Sequence, residues 1–377
     1  MASLKKIIPL LVLFGVVYWF FLRPPKNKLI DKNATAETVN LFNNLKRLSV
    51  NHTLFGHQHA TEYGRGWRGD KDRSDVKSVV GSHPAVIGVD FGGMSGQSEK
   101  EIKKYENDLG QNVIDTYERG GLTTISWHFE NPVSNDGFYW NDSISKPAVK
   151  YIIPGGDAHE KYKEILTRIG SWAKSLKASD GNIVPVIFRP YHEFDGDWFW
   201  WGKAHCTTEE YIELWRFTVS YLRDEIGVHN FIYAYSSDTQ FNSESEYLER
   251  YPGDDWVDMV GMDNYADLGR DRYDLETAIK KLKIVSDYAI KKGKLAAFTE
   301  TGLESISHVK WWTEVLLKVL KAEQLQLSYV LVWRNDVNSA KHFYAPFPKH
   351  SSSLSFIDFY NDKLTLFEKD LKNLYKR

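Results

Sequence analysis

A single cysteine, Cys206, occurs in the 377 residues. No intramolecular disulfide is therefore possible, which excludes a small extracellular domain held by disulfide staples. A large exported domain needs no such staples. Cys206 has no Cys or His partner at a metal-binding spacing and reads as structural. An excess of charge is also lacking: 48 Lys and Arg stand against 50 Asp and Glu, a net charge of −2. Nothing in that balance provides the basic face a nucleic acid requires, so no nucleic-acid partner is expected. No Gly-rich nucleotide fingerprint follows the early strand candidates. No repeat of solenoid length occurs, and no low-complexity segment lies beyond the N-terminus. His57 and His59 are a poor metal pair at i, i+2 spacing after a strand, and no metal or other cofactor is expected.

Long apolar runs are missing from the body of the chain. The exception is Ile7–Leu22, preceded by Lys5 and Lys6 and followed by Arg23, Pro24, Pro25, Lys26 and Lys28. That is the layout of a secretory signal or a signal anchor. The run falls short of the about 20 residues of a comfortable membrane span, and no small-x-small cleavage site follows it. Residues 1–25 are read as a signal peptide or signal anchor, with an uncleaved anchor preferred, and residues 26–36 as a polar linker. Residues 37–377 are read as one folded domain and a monomer. The expected location is outside the cytoplasm, either membrane-anchored through Ile7–Leu22 and facing the periplasm or exterior, or secreted.

What the chain has in quantity is aromatic residues: 13 Trp, 21 Tyr and 20 Phe. Sugars present flat C–H faces fringed with hydroxyls, and indole and phenol rings combine an apolar face with a polar edge. Large cores also use aromatics, so composition only tilts the reading towards a carbohydrate.

From about residue 37, short apolar runs alternate with charged, helical stretches, which predicts a parallel sheet covered by helices. The strand candidates are Thr53–Gly56, Ala85–Phe91, Leu122–His128, Ile183–Arg189, Phe231–Ser236, Val257–Asn264, Leu295–Glu300 and Tyr329–Trp333. Most are apolar throughout, as strands buried on both faces are. Helices are predicted over Ser98–Arg119, Ala158–Leu176, Thr208–Ile226, Leu275–Lys291 and Ser307–Ala322. Eight strands with intervening helices point to an α/β protein, a (β/α)8 TIM barrel, with a doubly wound open sheet as the structural alternative. Trp311-Trp312 falls in a predicted helix and reads as core.

Barrel catalytic groups sit where strands end. Those ends here carry Gly56-His57-Gln58, Asp90-Phe91, Trp127-His128, Arg189-Pro-Tyr-His192-Glu193, Asp263-Asn-Tyr265, Thr299-Glu300 and Trp333-Arg334. A purely structural rim would need no such collection. Glu193 and Glu300 end the fourth and seventh strands, on opposite sides of the mouth. Glycoside hydrolysis needs such a pair: one carboxyl protonates the leaving oxygen, the other attacks or activates water. Asp195 and Asp197 read as shaping the loop after Glu193. Asp90 reads either as a brace of the mouth or as a sugar contact.

The segment RPYHEFDGDWFWWG (Arg189–Gly202), together with FTETG (Phe298–Gly302), resembles glycoside hydrolase family 26. LFGHQ, PAVIGVDFGG, TTISWHFENP, VGMDNY and VLVWRND support the resemblance in the family's order, over about residues 52–336. The resemblance implies a barrel with the acid/base after strand four and the nucleophile after strand seven, acting mainly on β-mannan. It assigns Glu193 as general acid/base and Glu300 as nucleophile. It places His192 beside the acid/base, Tyr265 against the nucleophile, Trp333 under the sugar at subsite −1 and Trp198 on the leaving-group side. His128 and Arg334 match residues of the non-reducing-side subsites. The implied partners are β-mannan polysaccharides, including glucomannan and galactomannan, or manno-oligosaccharides, cut internally or at chain ends with retention. β-1,3-Xylanase or mixed-linkage β-glucanase activity is the alternative within the family, and a glycan-binding protein without catalysis is the alternative outside it.

Overall fold

The computed structural model describes residues 27–377 except 323 and 373. The Ile7–Leu22 run lies outside the described residues, and among those described no helix is long and apolar enough to cross a membrane.

Eight parallel strands close into a barrel: β1 (Thr53–Gln58), β2 (Val86–Asp90), β3 (Leu122–Ser126), β4 (Val186–Arg189), β5 (Phe231–Ser237), β6 (Met259–Asp263), β7 (Leu295–Thr301) and β8 (Tyr329–Val332). Closure is made by β1 against β8, with Leu54 opposite Tyr329 and His57 opposite Val332. The closed TIM barrel replaces the open-sheet alternative. Every residue of these strands is buried, which explains their near-continuous apolar runs.

The strands feed two cores. Leu54, Val86, Leu122, Ile187, Ile232, Met259, Leu295 and Tyr329 point inwards and fill the barrel. Phe55, Ile87, Ile125, Phe188, Tyr233, Val260, Phe298 and Val330 point outwards and pack under the helices. The lower end is plugged by the helix Ala36–Leu48, capped by Thr35, whose Leu41, Phe42 and Leu45 join the inner core. Residues 27–35, expected as a linker, lie along this end. Leu29 is fully buried, and the Ile30 amide donates to Asp258 at 2.8 Å.

The outer helices start where their caps dictate. Ser98 and Thr207 each form a capping box, with Glu101 and Glu210, at the starts of Glu99–Glu118 and Thr208–Ser220. Two predicted helices change pitch. The one from Thr208 turns π-helical at Tyr221–Ile226, and Ser307–Ala322 resolves into a π-helical Trp312–Leu316 followed by the α-helical Leu317–Leu320. Trp311 and Trp312 are core residues, fully buried, with the Trp311 indole donating to the Leu268 carbonyl at 2.7 Å.

Candidate active site

The loop leaving β4 brings Arg189, His192 and Glu193 to the mouth on a strained path. Tyr191 (φ 48°) and Glu193 (φ 53°) both lie in the left-handed region, which costs a non-glycine residue of order 1 kcal/mol or more. The surroundings enforce it. Tyr211 Oη donates to the Tyr191 carbonyl at 2.9 Å, the Trp201 indole to the His192 carbonyl at 2.8 Å, and the Glu193 amide to the Ser236 carbonyl at 3.0 Å. Of the Trp-rich loop, Trp200 and Trp201 are buried struts. Trp198 instead turns to the cleft, and its indole N–H donates to Glu193 Oε2 at 2.6 Å. Asp195 accepts from the amides of Asp238 and Gln240 and so shapes this loop.

Glu300 reaches the mouth through a bulge. Met262 of β6 faces Phe298 of β7, but the next residue, Asp263, faces Glu300. Thr299 is thus an extra residue, and the register with β8 slips at the same place. Thr299 points inwards and donates to Ser236 Oγ at 3.1 Å. Strict alternation would then send Glu300 outwards under the helices. The bulge turns it inwards as well, where it meets Arg189 and accepts from Tyr265 Oη at 2.9 Å. Arg189 also binds Asp263 at 2.9 Å, so one buried guanidinium lies between two buried carboxylates. His192, Asp263 and Glu300 stand close enough to hold a metal ion, but Arg189 already places a positive charge there.

The two glutamates sit in unlike surroundings. Burial, then the charges of Asp263, Asp238 and Glu300, hold the Glu193 carboxyl well above the usual range, against the pull of the Trp198 indole. Burial also pushes Glu300 up, to about 7, but Arg189 beside it favours its charged form. Of the pair, Glu300 is the one that ionises first and Glu193 the one that keeps its proton. Burial, Arg189 and His128 push His192 well below its ordinary value, leaving a neutral ring. His128 goes the other way. Burial disfavours its charge, but Asp90, 2.6 Å from Nδ1, outweighs it. Asp90 also accepts from Ser126 Oγ and the amides of Gly92 and His128, so it braces His128 rather than facing the cleft.

His128, His192, Glu193, Trp198, Tyr265, Glu300 and Trp333 converge on one cleft of about 360 Å³. Trp333 meets His128 edge-on at 5.7 Å between centroids. Arg334 does not line this cleft and is paired with Asp336 at 2.8 Å. Tyr139, Phe199, Arg270, His342 and Tyr344, none of them a strand-end residue, complete the walls. Tyr139 stacks on Phe199 at 5.5 Å. Arg270, His342 and Tyr344 carry no local signal, being brought in by the folding of long loops. An acid that keeps its proton, an ionised carboxylate and an aromatic cleft suit acid-assisted displacement at a sugar carbon.

Tyr265→Phe tests the electrostatic reading. The lost O–H favoured the charged form of Glu300, so its pKa rises further and the acidic limb of kcat/KM moves to higher pH. A hydrogen bond to a charged group is worth about 1.5–3 kcal/mol, so kcat/KM at the optimum falls about 10- to 100-fold. An unmoved acidic limb in the pH profile contradicts the assignment.

The sequence pattern of glycosyl hydrolase family 26 matches residues 30–315. A mannan endo-1,4-beta-mannosidase of Bifidobacterium adolescentis is 36% identical over 334 residues, 84% of this chain and 33% of that protein. The chain thus spans about a third of that relative's length. A mannan endo-1,4-beta-mannosidase of Bacillus subtilis is 24% identical, over 98% of this chain and 97% of that protein. Among solved structures, a family 26 beta-mannanase of Bacteroides ovatus superposes with a TM-score of 0.84 at 41% identity, covering 91% of this chain and 98% of that one. The GH26C protein of a Muricauda species gives a TM-score of 0.86 at 39% identity, covering 92% and 96%. A pattern that matches most of the barrel, and whole-length structural relatives at about 40% identity, agree with the site: the chain belongs to glycosyl hydrolase family 26.

Proposed function

We propose that the protein is a retaining β-mannanase that hydrolyses β-1,4-mannosidic bonds of mannan, glucomannan or galactomannan by double displacement. The observation that carries this reading is the buried carboxyl pair in which Arg189 and Tyr265 favour the charge of Glu300 while Glu193 is held protonated. Glu300 attacks the anomeric carbon as Glu193 donates its proton to the leaving oxygen. Glycosylation of Glu300 removes a negative charge that helps to keep Glu193 protonated. Glu193 then becomes acidic enough to act as the base that deprotonates the incoming water. The mannan preference is supported by the activity for which several relatives are named. The expected outcome is cleavage of carob galactomannan and konjac glucomannan and none of xylan. Proton NMR of the first-formed sugar ends is expected to show the β-anomer before mutarotation. No release of sugar from either mannan rejects the substrate, and the α-anomer appearing first rejects retention. Export through Ile7–Leu22 belongs to the same proposal, and the full-length chain found only in the cytosol would overturn it.

A further inference from the structure

Asp75 lies in the first turn of the short helix Asp75–Val80, away from the carboxyl pair, and is 2% exposed. It joins two loops that the sequence places far apart. From the loop after β1, the Arg65 amide donates to Oδ2 at 2.8 Å and the Trp67 indole to Oδ1 at 2.8 Å. From the loop after β8, Asn335 Nδ2 donates to Oδ2 at 2.8 Å. Asn335 passes the restraint on. Its Oδ1 accepts from the amides of Tyr344 at 2.8 Å and Ala345 at 2.9 Å. Asn335 is two residues from Trp333, and Trp333 and Tyr344, both following β8, line the cleft. The clasp is close: a Cβ on Gly64 would run into Asp75 Oδ2. The same two loops also meet through the Gly66 amide on the Val337 carbonyl at 3.2 Å.

We propose that Asp75 is a positioning residue for the reaction, tying the β1 loop to the β8 loop so that Trp333 and Tyr344 hold the sugar-binding wall. The proposal rests on the mannanase reading for its substrate. Its chemistry is simple. All three partners are N–H donors, and only a carboxylate offers acceptors on both oxygens. In Asp75→Asn, either orientation of the amide turns an –NH2 towards at least one donor. An –NH2 at the Oδ1 position loses the Trp67 indole and one at the Oδ2 position loses both the Arg65 amide and Asn335, so the clasp is weakened although the side chain keeps its shape.

The test compares wild type, Asp75→Asn and Leu45→Ala. Leu45→Ala is a core truncation in the plug at the opposite end of the barrel, and it reports what loss of stability alone does. For Asp75→Asn, KM for mannohexaose rises about tenfold with kcat within a few-fold, as loss of binding without loss of chemistry requires. The ratio of mannose, mannobiose and mannotriose released also changes. Leu45→Ala lowers the melting temperature and leaves that ratio alone. Asn335→Ala, which releases Tyr344 and Ala345 directly, reproduces the changed ratio and serves if Asp75→Asn does not fold. An unchanged product ratio in the folded variants overturns the proposal. Hydrogen exchange keeps this separate from the substrate reading. The Tyr344 and Ala345 amides exchange faster in Asp75→Asn whether or not the wild type cuts mannan, and unchanged protection there likewise overturns it.

Discussion

Glu300→Gln lowers kcat on mannan by at least about 10^4-fold, while the folded protein still binds mannohexaose. An amide cannot form the glycosyl ester, so the first displacement is lost. The neutral side chain also leaves Arg189 with Asp263 as its carboxylate partner. The pKa of Glu193 should fall, because the charge of Glu300 is among the causes that raise it. Turnover by gel-filtered protein, with calorimetric binding alongside, checks the first two effects. A carbon-13 titration of Glu193 checks the third. Glu300→Ala adds a stereochemical readout, because it leaves room for a small anion. With azide and an activated aryl β-mannoside, a single displacement inverts the anomeric centre and yields the α-mannosyl azide. Wild-type-like turnover by Glu300→Gln removes Glu300 from the nucleophile's role, and the β-azide from Glu300→Ala does the same.

Much of the barrel is legible in the sequence because its physics is local. Strands buried on both faces require runs such as Val86–Asp90 and Phe231–Ser237, and caps such as Ser98 with Glu101 announce the helices. Boundaries fail where packing overrides periodicity. Ser307–Ala322 has a helical pattern, yet the burial of both Trp311 and Trp312 accompanies a π-helical turn in which one residue is accommodated off the α-helical spacing. The glutamates are legible as strand ends, but the face that Glu300 presents is not. Nothing in Phe298–Gly302 records that Thr299 is an extra residue, and without that slip the side chain would point away from the mouth. The clasp between loops is legible least of all. Tyr344 and His342 reach the cleft because the Ser305 amide binds the Phe343 carbonyl and Asn335 holds the Tyr344 amide. Those pairings span many residues and leave no pattern in either segment.

Glu193→Ala should fail in a different way, and the difference is what assigns the roles. General acid help is worth about 10²–10⁴-fold, and the demand for it depends on the leaving group. On mannan the leaving oxygen is a sugar alkoxide that needs a proton, so kcat/KM falls across that whole range. On an aryl β-mannoside with a weakly basic phenolate the first step needs no acid, and kcat/KM changes little. The second step still needs Glu193 as base, so the glycosyl-enzyme accumulates and a burst of phenolate precedes a slow steady state. Azide needs no base and takes the intermediate instead. Two displacements then give the β-mannosyl azide, the opposite anomer from that expected of Glu300→Ala. The basic limb of the pH profile, set in the wild type by Glu193 held protonated by burial and the charges around it, disappears in the variant. Equal losses on mannan and on the activated glycoside, or survival of the basic limb, would place the proton donor elsewhere in the cleft.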